Sequence, residues 1–425
     1  MSFRCDAAAL ERLEWPRLVE HLAGLAATGR GAEVCRSEPF QATRAGAVER
    51  LAETSEARAL LEADDAPPFG GIADLRGAQA ELALGRALPG AELARVWATL
   101  EGARRVRESL VRRAAQAPRL ASLARTLPDL QGLARALAAL ITPEGEVRDE
   151  ASPELARARR RVRELEAEVE RVMARALRDP EILPHLQDAY ATFRENRPVL
   201  PVRAGAGPRV RGIVHDVSSS GTTVFIEPEA AVEAGNRLRI ARTEVERELL
   251  RVLRIASDAV HERRLELEAQ GATCAVLDAA LARGRLSRRL DARAPELSAR
   301  PALELRGLRH PLLLLEAGLE PDQVVPSDLG LPEGARALVI SGPNAGGKSV
   351  AAKAIGLAAL ALRAGLHLPC AEGSRMSIPD AVLADIGDAQ DLRAGLSTFS
   401  ARMRNASHIL EAADSSALVI LDEIG

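Results

Sequence analysis

The chain holds 425 residues, room for two to four domains at roughly 100–200 residues each. Apolar residues form 47% and charged residues 28%, which excludes wholesale disorder. A net charge of -3, from 57 basic and 60 acidic side chains, excludes a globally basic nucleic-acid binder but leaves room for a local basic patch.

Aromatics form only 2% of the chain, too few for single-strand binding by serial base stacking. Lys348 and Lys353 are its two lysines, and the other 55 basic residues are arginines. An arginine here therefore says little about need for a guanidinium, whereas a lysine is an exception. Cys5, Cys35, Cys274 and Cys370 show no metal-binding spacing and read as small hydrophobes in a reducing compartment. Met1–Leu10 has no apolar signal region, and no stretch approaches ~18 uninterrupted apolar residues, so a cytoplasmic protein without a membrane span is expected.

Residues 1 to about 140 read as helices. Ala7–Leu25 carries Leu10, Leu13, Leu18, Val19 and Leu22 near helical spacing. The turn-rich run Ala66-Pro67-Pro68-Phe69-Gly70-Gly71 interrupts, and helical text resumes from Asp74 to about Leu140. No chemistry is visible there, so a helical packing domain is expected. Ser152-Pro153 is a helix start, with Ser as cap and Pro at the first position. A heptad seam follows: Leu155, Val162, Val169 and Ala176, with Ala158, Leu165 and Val172 at the second position. Leu238, Val245, Val252 and Ala259 form a later seam, whose second position holds Ala241 and Ile255 but is interrupted by Glu248 and Glu262. Two long helices pairing antiparallel would carry the segment between them at a distal tip.

That segment, about 191–228, has β-type runs at Val199–Val202, Gly212–Val217 and Thr222–Ile226. Through Phe225, Arg194, Arg197, Arg203, Arg209 and Arg211 face only Glu195 and Asp216, a local excess of three positive charges. This suits phosphate contact. A solvated hairpin in an arginine-biased chain fits the charge equally well.

Residues from about 300 read α/β. Strand-like Ala337–Ile340 leads into Gly342-Pro343-Asn344-Ala345-Gly346-Gly347-Lys348-Ser349, which fits G-x-x-x-x-G-K-S and opens a helix to about Leu362. The glycines permit the turn, backbone N–H groups and the helix N-terminus favour phosphate, Lys348 would reach the β- and γ-phosphates, and Ser349 would ligate Mg²⁺. The apolar strand Ala417–Leu421 then delivers Asp422 toward Mg²⁺ and Glu423 toward the attacking water, an arrangement that favours a hydrolytic ATPase over a kinase. Between them, Gln390 reads as a γ-phosphate sensor or as an ordinary polar loop residue, and Ser397 and Thr398 as site residues or a helix cap.

Together the loop at 342–349, Ser397-Thr398-Phe399-Ser400, Leu421-Asp422-Glu423-Ile424-Gly425 and Arg309-His310-Pro311 resemble the MutS family of ABC-type ATPases. Gly212-Ile213-Val214-His215-Asp216, Ser218-Ser219-Ser220-Gly221, Phe225-Ile226-Glu227-Pro228, Gly365–Pro369 and Ala384–Gln390 resemble its recombination-suppressing MutS-two branch. The resemblance covers essentially the whole chain. It implies a multidomain α and α/β fold: a helical core (1–150), a long antiparallel helical lever with a small β clamp (151–298, clamp at about 191–228) and a partial ABC-type P-loop ATPase domain (299–425). It implies ATP and Mg²⁺ as cofactors, and branched or duplex DNA as partner. It further implies stalled ribosomes or rRNA as targets and a homodimer formed through the ATPase domain. Phe225-Ile226-Glu227 echoes the Phe-x-Glu of a mismatch wedge but sits in the clamp-like segment, and is not read as one.

Family members continue beyond the equivalent of Gly425 with a signature loop, further strands and a dimerising segment, and this branch adds a Smr nuclease domain. The resemblance therefore implies a C-terminally truncated chain, weak nucleotide turnover by these residues alone and an endonuclease activity housed elsewhere. An ATPase of the SMC kind fits poorly, because its coiled coils are far longer. A truncated, non-catalytic module binding nucleic acid or a protein partner is the remaining alternative.

Overall fold

The computed structural model describes residues 3–37, 39–316, 323–332, 334–343, 347–386 and 395–422, with the helical backbone alone at 395–402 and 404. The chain forms two compact units, each gathered from separated stretches: 1–75, 99–129 and 265–425 in the larger, 76–98 and 130–264 in the smaller. Compactness thus follows packing, whereas the expected divisions at 150/151 and 298/299 follow chain order.

The first expected helix is two. Asp6 accepts from the Ala9 N–H at 2.6 Å to start α1 (Ala7–Arg12). Glu14 then takes a left-handed φ of 58°, and α2 (Trp15–Ala23) begins. Pro16 forces this elbow, because its ring and missing N–H cannot continue the preceding turn. The chain proceeds through α3 (Gly29–Ser37), α4 (Arg44–Glu62), α5 (Arg76–Ala83), α6 (Gly90–Arg112), α7 (Pro118–Arg125) and α8 (Gln131–Leu140). Pro89, Pro118 and Pro128 fall at the breaks after α5, α6 and α7.

In the smaller unit Ser152 accepts from the Leu155 N–H at 3.0 Å and starts α9 (Pro153–Ala176). Then come β1 (Thr192–Arg194), β2 (Arg197–Arg203), β3 (Gly212–Val217), β4 (Thr223–Pro228) and α10 (Glu229–Glu262). The strands form one antiparallel sheet of order β1-β2-β4-β3. Helices α9 and α10 run antiparallel, since Arg237, Arg242 and Arg251 meet Glu168, Glu166 and Glu154 in reverse order. These exposed pairs contribute at most about 1 kcal/mol each. The apolar seam does more. In α9 it matches the heptad reading except that Val162 and Val172 are half-buried while Met173 is buried. In α10, Leu238, Ala241 and Val252 are buried, but Ile255 is 49% exposed, and Ala256 and Val260 take the inward places. A straight helix turns every 3.6 residues, so a 3.5-residue reading drifts off the seam over several turns. Leu165, Val169, Met173, Ala231, Ala234 and Leu238 close over Leu200, Val202 and Ile226 to seat the sheet on the two helices.

The larger unit holds α11 (Arg264–Arg289), β5 (Glu296–Leu297), β6 (Leu303–Leu308), α12 (Pro311–Glu316), β7 (Ser327–Gly330), α13 (Lys348–Ala364), β8 (Arg375–Met376), β9 (Ala381–Asp385), α14 (Gly395–Ala412) and β10 (Ala417–Leu421). One sheet has order β5-β8-β6-β7, and β9 pairs parallel with β10. Arg4 bridges β9 at Ala381, its N–H donating to Asp380 O at 3.0 Å and its carbonyl accepting from the Val382 N–H at 3.0 Å.

Two buried polar groups organise the helices. Asp278 of α11, fully buried, accepts from the Ala27 and Thr28 N–H groups and the Thr28 hydroxyl at 2.7–3.0 Å, ahead of α3. Arg363, fully buried near the end of α13, donates to Gln41 O and Ala42 O at 2.8 and 2.7 Å and lies 4.9 Å over the Phe3 ring. Phe3 and Trp15 both pack on Phe40, so three of the rare aromatics pool at one place. Cys35, Cys274 and Cys370 are buried, and burial pushes the Cys274 thiol up to about 12, as an inert hydrophobe requires. Among the described residues no helix is long and apolar enough to cross a membrane.

Candidate functional site

The glycine-rich loop delivers Lys348 as the first residue of α13, directly after Gly347 at φ 77°. That left-handed turn is one that glycine adopts without strain. Lys348 Nζ donates to the Gly342 carbonyl at 2.6 Å, drawing the ammonium back across the loop. Gly342 and Pro343 are exposed, as is Ser349 in the first helical turn. Asn344, Ala345 and Gly346 lie outside the described residues. The first turn of α13 contains no acidic residue, and among the described residues no side chain caps it, so its N–H groups and positive dipole end are open to an anion.

The strand expected at Ala337–Ile340 does not form. These residues have no regular structure, and Val339 is 86% exposed. An apolar run becomes a strand only beside a hydrogen-bonding neighbour, and among the described residues none pairs with it.

Strand β10 ends where the sequence places it, and Asp422 follows, half-buried, with its N–H donating to Asp385 O at 3.0 Å. Ile420 packs toward α13: a Cβ on Gly356 would lie 2.8 Å from Ile420 Cδ1 and 2.4 Å from Leu13 Cδ2. The absent side chain of Gly356 thus lets the helix that starts at Lys348 lie directly on the strand that ends at Asp422. Glu423 and Gln390 lie outside the described residues. Ser397 and Thr398 fall in α14, as backbone.

Among the described residues no group of three His, Cys, Asp or Glu side chains converges to hold a metal by itself. Mg²⁺ held through substrate phosphates would take one or two protein oxygens and keep several waters. The Ser349 hydroxyl and the Asp422 carboxylate are hard oxygen donors of that kind.

The five arginines singled out in and around the sheet of the smaller unit divide. Arg197 turns inward, its side chain 17% exposed, donating to Asn236 Oδ1 at 2.7 Å and lying 3.5 Å from Glu227. Arg194 lies 4.4 Å over the Phe225 ring and 3.5 Å from Asp216. Arg203, Arg209 and Arg211 are exposed and, among the described residues, form no ion pair. Beneath them Glu227 is fully buried, its carboxylate 2.7 Å from His215 Nε2. His215 is the bulged residue of β3, between the pairs Val214–Ile226 and Asp216–Phe225, and the bulge aims its ring inward.

Contacts that sequence reasoning missed surround α13. Lys353 Nζ bonds Glu14 Oε2 at 3.2 Å. Burial pushes the Glu14 carboxyl up, but Lys353 and Arg17 outweigh it and hold the group below its usual range. Arg12 Nη1 donates to Ala384 O at 2.9 Å and lies 3.1 Å from Asp385 Oδ1. The scarcity of lysine was the available signal for Lys353. Nothing in the sequence marked Arg12 among 55 arginines.

Residues 338–425 match the family model MutS domain V. The loop–helix and the acid-tipped parallel strand therefore belong to a MutS-family chain. Over nearly its whole length the chain is also similar to proteins named endonuclease MutS2. That of Pelotomaculum thermopropionicum is 40% identical over 421 residues, covering 99% of this chain and 53% of the relative. Those of Anaeromyxobacter sp. and Symbiobacterium thermophilum are 39% and 40% identical, covering 97% and 99% of this chain and 52% of each relative. The chain belongs to the MutS2 branch of the MutS family. It spans about half the length of the curated relatives it matches.

Proposed function

We propose that this chain binds ATP with Mg²⁺ on the loop at 342–349 and uses nucleotide binding to control engagement of DNA by the arginine-bearing sheet. On this reading α9 and α10 are the lever, the sheet β1–β4 is a clamp, and residues 299–425 belong to an ABC-type ATPase domain. Lys348 would exchange the Gly342 carbonyl for phosphate oxygens, and Ser349 and Asp422 would hold the metal. Bound Mg²⁺ would neutralise phosphate charge. Gln390 and Glu423 would sense the γ-phosphate and polarise water. Arg203, Arg209 and Arg211, with a smaller part for Arg194, would contact the backbone of duplex or branched DNA without reading sequence. In the whole protein the reading extends to homodimerisation through the ATPase domain and suppression of recombination. It extends further to action on stalled ribosomes or rRNA. The endonuclease for which the relatives are named is not assigned to these residues.

The observation that carries this reading is Lys348 at the uncapped start of α13, folded over the loop, on a helix that packs against the strand ending at Asp422. Fluorescent ATP analogue binding and DNA binding with and without ATP test it together. Lys348→Ala is expected to weaken nucleotide binding about tenfold or more and to remove any ATP effect on DNA. Reversing Arg203, Arg209 and Arg211 to Glu should weaken DNA binding and lower its salt slope by about three. Wild-type protein that binds no nucleotide, or DNA binding indifferent to the reversal, would overturn it. The unpaired 337–340 segment favours a second reading, a binding module without turnover. In that case Lys348→Ala would change nothing.

A further inference from the structure

We infer that Arg12 is a positioning residue of the nucleotide site, setting the charge at the ends of β9 and β10 through its grip on Asp385. This inference rests on the nucleotide reading above.

Three consecutive residues of the α1–α2 elbow hold the surroundings of that site. Arg12 binds the last two residues of β9, through Ala384 O at 2.9 Å and Asp385 Oδ1 at 3.1 Å. Leu13, fully buried, occupies the space left open by Gly356 in the middle of α13. Glu14, held in its left-handed conformation, takes Lys353 of the same helix at 3.2 Å. The elbow therefore touches both elements that would present phosphate and metal ligands, the strand ends and the helix that starts at Lys348.

The charge argument follows from the pairing of β9 with β10. Asp385 lies opposite Leu421 in the parallel ladder and its carbonyl accepts from the Asp422 N–H at 3.0 Å, so the two aspartates sit one residue out of register at the ends of neighbouring strands. Asp422 is the one assigned to the metal. Asp385 next to it would add a second negative charge where a polyphosphate must approach. Arg12, its side chain 33% exposed, compensates that charge from the α1 side. ATP free of metal carries more negative charge than MgATP, so loss of compensation must weaken metal-free ATP more than MgATP. The ratio of the two affinities therefore reads the role, and a purely structural Arg12 would leave that ratio unchanged.

The test uses the full chain and a fluorescent ATP analogue at low ionic strength, titrated in excess EDTA and in excess Mg²⁺, with thermal unfolding recorded alongside. Asp385→Asn keeps an acceptor for Arg12 and should fold. It is expected to strengthen metal-free binding about threefold or more and MgATP binding less. Arg12→Ala should do the reverse, Arg12→Lys should stay near wild type, and the double variant Arg12→Ala/Asp385→Asn should restore the wild-type ratio. If Asp385→Asn leaves the ratio unchanged, the inference is wrong. If Arg12→Ala lowers the melting temperature without moving the ratio, Arg12 is structural only and the inference is again wrong. Wild-type binding abolished by Lys348→Ala, together with an unmoved ratio, sinks this inference and leaves the nucleotide reading standing. Wild-type protein that binds neither form sinks both.

Discussion

Replacing Glu227 with alanine is expected to destabilise the smaller unit by about 3–5 kcal/mol, the usual result of removing one partner from a buried charged cluster. The carboxylate is fully buried and lies 2.7 Å from His215 and 3.5 Å from Arg197. It also fixes α10 against the sheet, because a Cβ on Gly235 would fall 2.7 Å from its Oε1. One side chain therefore joins β2, the β3 bulge, β4 and the first turns of α10. Without it His215 loses its partner, and Arg197 keeps only Asn236. Glu227→Gln preserves the volume and one acceptor and should cost less. Urea unfolding of both variants gives the answer. An alanine variant within about 1 kcal/mol of wild type would show that the cluster holds nothing together. On the clamp reading, which uses Arg203 at the end of β2 and Arg211 just before β3, the alanine variant should also lose DNA binding under conditions where the sheet has opened.

Acidification from pH 7 to pH 5 is expected to destabilise the larger unit, with about 2 kcal/mol arising from each of two histidines. Burial holds His310 down at about 4, with Lys353 and Arg17 adding to the effect and Glu14 opposing it. Its Nδ1 is buried without a hydrogen-bond partner among the described residues. Burial also holds His367 at about 4, with Arg58 contributing. The His367 ring bridges Ser55 Oγ at 2.8 Å and Ser287 Oγ at 2.7 Å, joining the loop after α13 to α4 and α11. In both cases the unfolded chain, near 6.5, binds the proton more readily than the folded one. Stability is therefore complete above about pH 6.5 and is lost as the pH falls toward 4. Urea midpoints at pH 7, 6 and 5 measure it, and replacing both histidines with asparagine should flatten the dependence. A wild-type midpoint that stays level down to pH 5 would contradict the assignment.

Local signals were legible in the sequence. The Ser152 cap, strand β3 at Gly212–Val217 and strand β10 at Ala417–Leu421 stand where their residues place them, because a cap, a β-branched run and an acid-terminated apolar strand each state their structure within a few residues. The elbow at Glu14 was legible in principle from Pro16. The α10 seam was legible for about four turns, from Leu238 to Val252, before helical drift carried Ile255 outward. What remained hidden depends on partners distant in sequence. Burial of Glu227 follows from a bulge at His215, and the unpaired state of 337–340 follows from which strands lie beside it. Of the glycine-rich loop, Gly342, Gly347, Lys348 and Ser349 were marked by their spacing. The Lys353–Glu14 and Arg12–Asp385 contacts join residues more than 330 positions apart, beyond the reach of any periodicity.

The bridge between Arg4 and Ala381 also governs the order of events during synthesis. Arg4 leaves the ribosome long before its partner exists. At roughly 5–20 residues per second the wait is about 20–80 s. Over that interval the apolar residues Phe3, Leu13 and Trp15 have no α13 or β9 to cover them, while the smaller unit, complete by Arg264, can already collapse. The larger unit cannot close before β9 and β10 emerge, so its folding is late and non-local. The newborn chain therefore depends on protection of the stretch from Phe3 to Trp15, and truncations that stop short of β9 should yield a soluble smaller unit attached to an aggregation-prone segment that carries this stretch.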